Sequence, residues 1–208
     1  MSTSKAVEER APNTPAIVVL ASQSPNRLKL MHQIGIKNLV VKVPDFEENL
    51  PKSLPVREFV EQTAVGKLHA VYAEMERNKE HFDIIVACDT VIYFDGEIIG
   101  KPVDAEDAFV TLKRFRGRQH TVYSGVAMAF ANGDEEVFSE ETRVEFGDYS
   151  DRIIKQYVES GEPLRCAGSY AIQGYGAVFV RAVHGCFSNV VGLPIYRIHS
   201  ALMSKGIF

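Results

Sequence analysis

The chain has 208 residues, of which 46% are hydrophobic and 24% charged, so it can bury a large core and lacks the composition of a disordered protein. Its formal net charge of −4 and its pI near 5.9 provide no basic field for nucleic acid, and no run of lysines or arginines marks a membrane-binding patch. Three cysteines without paired spacing argue against a disulfide framework and a zinc cluster, and they favour a reducing, cytoplasmic environment.

The N-terminal segment MSTSKAVEERAPNTP is polar, contains two prolines and lacks the apolar stretch of a secretory signal. No later segment approaches the length of a membrane span. We therefore expect residues 1–15 to form a flexible tail and residues 16–208 to form a single domain.

The first predicted element is a buried strand that leads into a helix. The run AIVVLA at residues 16–21 is apolar and rich in β-branched residues, which is typical of a strand covered on both faces. A helical pattern follows, with Pro25 in its first turn and Gly35 at its end.

The corner between this strand and this helix is polar. It consists of Ser22, Gln23 and Ser24, followed by Arg27. Hydroxyls, the N–H groups of a helix start and a guanidinium can together bind an anion. The alternative is that Ser24 only caps the helix.

A long amphipathic helix is predicted between Arg57 and Arg77, because its apolar residues recur at helical spacing and no proline interrupts them. Lys67 lies near the apolar face of this helix, where a neutral side chain is more usual. It is either a functional residue or a lysine that extends its ammonium group to solvent.

Asp89 follows the buried strand Ile84 to Cys88, and a two-residue hairpin turn is predicted at Asp95-Gly96. A carboxylate at the end of such a strand needs a cation or a metal. The hairpin should return Lys101 to the neighbourhood of Asp89, and Mg²⁺ suits oxygen ligands better than zinc does. An ordinary buried ion pair between Asp89 and Lys101 is the alternative.

The remaining elements alternate between helices and strands. We predict a helix from Asp104 to Gly117, strands at 120–130, 137–146 and 176–183, and a helix that begins at Asp148 or Ser150 and stops at Gly161. This order predicts an α/β domain with a mixed β-sheet, flanking helices and two lobes around a cleft.

Two further groups of residues, a pair of acids and a glycine-rich segment, can each be interpreted either as part of a functional site or as an ordinary loop. Glu47 and Glu48 are paired acids in a loop, where such pairs are usually just solvated. Gln173 lies in the glycine-rich segment 167–176, where its amide could read the edge of a nucleobase, although a glycine-rich turn requires no ligand.

Taken in order, these clusters resemble the motifs of the Maf family of nucleoside triphosphate pyrophosphatases, from about Ile17 to Ile195. LASQSPNR is similar to that family's A-S-x-S-P-R-R, and CDTVIYFDGEIIGKPVDAEDA to its D-T-V and G-K-P-x-D. The later segments that match are GRQHTVYSGVAM, YVESGEP, GSYAIQGYGAVFV and GCFSNVVGLPI.

The resemblance implies a Maf-like domain related to the inosine triphosphate pyrophosphatases, with a nucleotide in a cleft between lobes. It also implies hydrolysis of a nucleoside triphosphate to the monophosphate and pyrophosphate with a divalent cation, Mg²⁺ or Mn²⁺. The Ile-Gln-Gly sequence at 172–174 favours the dTTP and UTP subset, with modified pyrimidine triphosphates as further candidates. A homodimer is left open.

The resemblance also assigns roles to individual residues. The catalytic candidates are Asp89, Lys101, Glu48 and Lys67, with Asp89 and Glu48 also as metal-associated carboxylates. The substrate-binding candidates are Ser22, Ser24, Arg27, Asn26, Thr90 and Gln173. In these roles a carboxylate orients water, while basic side chains and a cation neutralise charge on phosphate oxygens.

Three residues depart from the family pattern. Asn26 stands where an arginine is common, and Arg165-Cys166 stands where an acid and a lysine are expected. These departures keep alternatives open: a nucleotide-binding regulator with little or no turnover, or a Maf-like enzyme for another base such as that of 7-methyl-GTP.

Overall fold

The computed structural model describes residues 15–207. Its strands are β1 Ile17–Ala21, β2 Asn38–Lys42, β3 Ile84–Phe94, β4 Glu97–Ile99, β5 Gln119–Phe130, β6 Glu135–Phe146 and β7 Val180–His184. Its α-helices are α1 Pro25–Gln33, α2 Val56–Asn78, α3 Ala105–Phe115, α4 Asp151–Glu159, α5 Phe187–Val191 and α6 Ile195–Ser204. Residues 1–14 of the predicted tail lie outside the described residues.

The strands form one mixed sheet in the order β2-β1-β3-β5-β6-β7, with β4 paired to β3. β1 is parallel to both of its neighbours, whereas β3, β5, β6 and β7 pair in antiparallel fashion. The predicted α/β fold with a mixed sheet and flanking helices is therefore confirmed. That residues 16–208 act as one domain stays a prediction.

The two halves of strand β3 belong to different hydrophobic clusters. In the first half of the strand, one cluster joins Ile84 to α1 and α6 and another joins Ile85 to α2, so both faces of the sheet are covered there. At its second half, Ile92 belongs to a third cluster that contains Phe115 of α3 and Tyr157 of α4. Asp89 lies between these regions, which agrees with the predicted arrangement of two lobes.

Local signals explain the elements that were predicted correctly. The Asp104 side chain accepts a hydrogen bond from Asp107 N at 2.8 Å and so caps α3. In the hairpin turn, Asp95 and Gly96 have φ values of 51° and 81°, as a type I′ turn requires. Gly35, with φ 86°, follows the end of α1.

Two predicted boundaries are wrong. β3 does not end at Cys88, because β5 continues to pair with it and places Gly125 opposite Asp89 in the middle of the strand. The predicted strand at 176–183 begins only at Val180, because Tyr175–Phe179 form a 3-10 helix. β2, α5 and α6 were not predicted.

Within residues 15–207, none of the helices combines the length and the apolar composition that crossing a bilayer requires.

Candidate functional site

The polar corner after β1 is organised by two serines. Ser22 Oγ accepts a hydrogen bond from Ser24 N at 3.1 Å. Ser24 Oγ accepts from Arg27 N at 3.4 Å, which makes Ser24 the N-cap of α1. Ser24 therefore has the capping role that was the simpler of its two interpretations, and Ser22 shapes the turn that precedes it.

The Arg27 side chain connects three separate parts of the chain. Its Nε donates to Gly192 O at 2.9 Å, Nη2 to Thr90 Oγ1 at 3.0 Å and Nη1 to Ser22 Oγ at 3.3 Å. Thr90 Oγ1 also lies 2.8 Å from Ser124 Oγ on β5. The guanidinium is thus fixed against the corner after β1, strand β3 and the turn after α5, with N–H bonds left over for a further acceptor.

Asp89 is paired with Lys67, not with the predicted partner Lys101. Lys67 Nζ lies 2.7 Å from Asp89 Oδ1, and only 9% of the Lys67 side chain and 8% of the Asp89 side chain are exposed. The ammonium group therefore points into the protein, so the interpretation of Lys67 as a lysine that extends to solvent is wrong. A buried carboxylate and a buried ammonium are opposite charges, and pairing them offsets part of the cost of removing each from water.

A second carboxylate approaches the same ammonium. Glu48 Oε1 lies 2.8 Å from Lys67 Nζ, although 56% of the Glu48 side chain is exposed. Glu48 belongs to residues 43–55, which have no strand or helix and connect β2 to α2. The predicted acids Asp89 and Glu48 are thus brought together across Lys67, one from the sheet and one from a loop.

The close approach of α2 to the sheet depends on Gly125. A Cβ atom at this position would overlap the carbonyl of Val60 in α2. Gly125 pairs with Asp89 across the β3–β5 ladder. The missing side chain therefore lets α2 sit low enough over β5 for Lys67 to reach Asp89 on the adjacent strand.

Lys101 lies beyond the end of β4 at Ile99, and it is exposed. Within the described part of the chain it forms no ion pair and no hydrogen bond. Its loop is held by a hydrogen bond from Gly168 N to Gly100 O at 2.8 Å. The positive charge of Lys101 favours the thiolate of Cys166, but burial is the larger effect and raises the pKa of this thiol to about 11.

Gln173 is exposed and Asn26 is half-buried in the first turn of α1. The turn that carries Gln173 is fixed by Glu162, whose carboxylate accepts from Tyr175 N at 3.1 Å and from Gly176 N at 2.9 Å. Gln173 and Asn26 are not joined to the Arg27 or Lys67 groups by any hydrogen bond within residues 15–207.

Sequence reasoning missed several contributors to the site. Gly192 O and Ser124 Oγ both take part in the Arg27 and Thr90 network, and Gly125 sets the height of α2. Small residues inside the otherwise apolar strand β5 could have signalled a close approach of another element. The role of the Gly192 carbonyl has no local signal, because it depends on the tertiary position of the turn after α5.

The residues present fit the divalent cation that the resemblance implies. Asp89 and Glu48 supply hard oxygen donors, and neither Asp89 Oδ2 nor Glu48 Oε2 accepts a hydrogen bond within residues 15–207. Among the described residues no group of three or more histidines, cysteines or acids could surround a metal. A cation here would therefore need ligands from substrate phosphates and water, as is usual for Mg²⁺.

The chain is similar to known proteins over most of its length. The family model described as Maf-like protein matches residues 17–205. A dTTP/UTP pyrophosphatase of Dictyoglomus turgidum is 46% identical over 193 residues, covering 91% of this chain and 96% of the relative. A dTTP/UTP pyrophosphatase of Caldicellulosiruptor bescii is 38% identical over 192 residues, covering 91% of this chain and 94% of the relative.

The solved structure of the Staphylococcus aureus Ham1 protein covers 91% of this chain and 98% of its own, at 13% identity and a TM-score of 0.49. A likeness at this level supports no conclusion here. The family model and the relatives span almost the whole chain, and they match the segments that bear Arg27, Lys67 and Asp89. The chain belongs to the Maf-like protein family.

Proposed function

We propose that this chain hydrolyses the nucleoside triphosphates dTTP and UTP to the monophosphate and pyrophosphate. The observation that carries the proposal is the buried Lys67 ammonium held between Asp89 and Glu48, with the Arg27 guanidinium anchored to the next residue of the same strand, Thr90. Relatives at 38–46% identity that are named dTTP/UTP pyrophosphatases support the choice of substrate.

The arrangement suits cleavage between the first and second phosphorus atoms of the triphosphate. In the proposed reaction, water attacks phosphorus while the Asp89 carboxylate accepts its proton, and the bridging oxygen leaves with pyrophosphate. Arg27, Lys67 and Lys101 offset the negative charge that grows on the phosphate oxygens. A divalent cation, Mg²⁺ or Mn²⁺, held by Asp89, Glu48 and phosphate oxygens, supplies further charge neutralisation when bound.

Base selection is assigned to Asn26, Thr90 and Gln173. Thr90 is already fixed by Arg27 and Ser124, so its position is defined before substrate arrives. Gln173 sits on a turn fixed by Glu162, and its exposed amide can both donate and accept hydrogen bonds. These properties support selection by hydrogen bonds to the edge of a base.

The experiment is a panel of nucleoside triphosphates, including modified pyrimidines and 7-methyl-GTP, with Mg²⁺ or Mn²⁺. Release of pyrophosphate and monophosphate from dTTP and UTP is expected, with a loss of at least about a hundredfold in Asp89→Asn. Release of inorganic phosphate instead, or full activity of Asp89→Asn, would contradict the proposal.

A second candidate is a nucleotide-binding regulator that does not turn over its ligand. The observation that favours it is Cys166, whose half-buried thiol stands where a family lysine is expected, while the neighbouring Arg165 is exposed. Tight nucleotide binding by calorimetry, with no product after hours, would support this candidate and remove the first.

The cytoplasm is the proposed location, because the three cysteines Cys88, Cys166 and Cys186 are free thiols. A homodimer stays a prediction, which the mass of the protein in solution tests.

A further inference from the structure

The loop that carries Glu48 contacts α2 at an unusual position. Gly66 lies in the interior of this helix, directly before Lys67, where a glycine lowers helix stability relative to alanine. A Cβ atom at Gly66 would overlap the ring of Phe46, which belongs to the same loop as Glu48. The glycine therefore leaves the space that the aromatic ring occupies.

This contact lies next to the catalytic ion pair. Phe46 precedes Glu48 by two residues, and Gly66 precedes Lys67 by one. Glu48 Oε1 in turn lies 2.8 Å from Lys67 Nζ. The loop and the helix thus meet at two adjacent points, one apolar and one charged.

The loop has a further apolar anchor on the other side of Glu48. Leu50 packs against a buried cluster that includes Val60 of α2 and Val91 of β3. Glu48 itself is more than half exposed and is joined to the site only through Lys67, within residues 15–207. An exposed acid on a segment without secondary structure keeps a fixed position only if its neighbours are held.

We infer that Phe46 and Gly66 form a clasp that positions Glu48 over Lys67, so that Phe46 is a positioning residue for the second carboxylate. This inference rests on the proposed function, because the purpose of the clasp is to present Glu48 to the cation and triphosphate. The glycine at position 66 leaves room for this contact, although alanine would suit the helix better.

The proposed clasp predicts opposite effects of Gly66→Ala on stability and on ligand binding. The new methyl group displaces the Phe46 ring, which is only half-buried and lies on a segment without secondary structure, outside the buried core clusters. Helix α2 itself gains from alanine. We therefore expect an unchanged or higher melting temperature together with weaker binding of cation and nucleotide, two effects that a purely structural glycine would not combine.

The test uses the full chain and Mn²⁺ with a dTTP analogue whose first and second phosphorus atoms are joined by a methylene group. Electron paramagnetic resonance measures the dissociation constant of Mn²⁺ in the presence of the analogue. Gly66→Ala and Phe46→Ala should raise it about tenfold, and Phe46→Leu should restore most of the affinity. Val137→Ala is the matched control, because Val137 lines the same surface groove as Phe46 but lies on β6.

A double-variant comparison separates positioning from other effects. In a Glu48→Gln background, Gly66→Ala should change Mn²⁺ affinity very little, because the clasp acts through Glu48. Hydrogen exchange of the ligand-free protein gives an independent readout: the amides of residues 45–50 should exchange about tenfold faster in Gly66→Ala. Equal losses of affinity in both backgrounds, or unchanged affinity and exchange in Gly66→Ala, would overturn the clasp.

The outcomes distinguish the two proposals. A wild-type protein that hydrolyses dTTP while the clasp variants keep normal Mn²⁺ affinity overturns the clasp alone. A wild-type protein that hydrolyses no nucleotide, but whose Mn²⁺ affinity depends on Gly66 through Glu48, overturns the proposed hydrolysis alone. If the wild-type protein binds no Mn²⁺ in the presence of the analogue, the role of the clasp in cation binding is overturned too.

Discussion

Lys67 of helix α2 and Asp89 of strand β3 form a buried ion pair, with Nζ and Oδ1 2.7 Å apart. Glu48 shares the same ammonium group at 2.8 Å. A single lysine therefore fixes two carboxylates that come from distant parts of the chain. The pair also links these candidate site residues to the stability of the fold, because either charge is costly to bury without the other.

Replacing Lys67 by methionine should lower the free energy of unfolding by about 3 kcal/mol, because Asp89 is left as an unpaired buried carboxylate. The double variant Lys67→Met/Asp89→Asn should recover at least half of that loss. Urea denaturation measures both. Lys113→Met, which breaks an exposed pair with Asp151, should cost no more than about 1 kcal/mol. If Lys67→Met and Lys67→Met/Asp89→Asn were equally stable, the unpaired Asp89 carboxylate would not be the cause of the loss.

Replacing Lys101 by alanine should affect activity without affecting stability. Lys101 is exposed and has no ion pair within residues 15–207, so the free energy of unfolding should change by less than about 0.5 kcal/mol. Turnover of dTTP should fall by at least about a hundredfold if Lys101 contacts phosphate. The matched control is Lys155→Ala on α4, also exposed, which should keep full activity.

Replacing Arg27 by lysine should weaken nucleotide binding, because an ammonium group cannot reach Gly192 O, Thr90 Oγ1 and Ser22 Oγ at once. We expect KM for dTTP to rise about tenfold and stability to fall by about 1 kcal/mol. Steady-state kinetics and thermal unfolding measure the two effects. Arg152→Lys on the exposed side of α4 should change neither, and normal kinetics in Arg27→Lys would remove Arg27 from the substrate site.

Replacing Gly125 by alanine should destabilise the protein, because the new methyl group would overlap the backbone of α2 at Val60. We expect a loss of about 2 to 3 kcal/mol, typical of overpacking in a rigid core. Gly100→Ala provides the control, since nothing lies within 4 Å of the position that its new methyl group would take. Similar stability of the two variants would show that α2 can move away from β5.

His120 should make the protein less stable in acid. Burial lowers the pKa of this histidine from 6.5 to about 3 in the folded protein. Between these values the unfolded chain binds a proton that the folded chain does not, so stability falls as pH falls below 6.5. Between the two pKa values, the free energy of unfolding falls by up to about 1.4 kcal/mol for each unit by which the pH is lowered. Above pH 6.5 this loss of stability is absent.

This pH dependence can be tested by removing the imidazole. His120 Nε2 lies 2.9 Å from the Tyr170 hydroxyl, so the double variant His120→Phe/Tyr170→Phe removes both polar groups and keeps the aromatic packing. Chemical denaturation between pH 7 and pH 5 should show a smaller slope in the double variant than in Tyr170→Phe alone. Identical slopes would mean that His120 is not the titrating group.

The sequence by itself determined the elements whose signals are local. Pro25 and Gly35 delimit α1, Asp104 caps α3, and Asp95-Gly96 closes the β3–β4 hairpin, because helix caps and turns depend on residues within a few positions of each other. The ordered motifs also identified the family, and they selected Ser22, Arg27, Lys67 and Asp89 as candidate site residues. Strand β2 and helices α5 and α6 were not predicted from the sequence, because short segments of this kind are stabilised mainly by tertiary packing.

Only the tertiary structure decided how those residues meet. Local spacing favoured Lys101 as the partner of Asp89, whereas the packing of α2 over Gly125 brings Lys67 to it instead. The same packing brings the Glu48 loop to Lys67 through Phe46 and Gly66. Contacts between residues far apart in the chain depend on the shape and height of packed elements, and no local periodicity encodes these quantities.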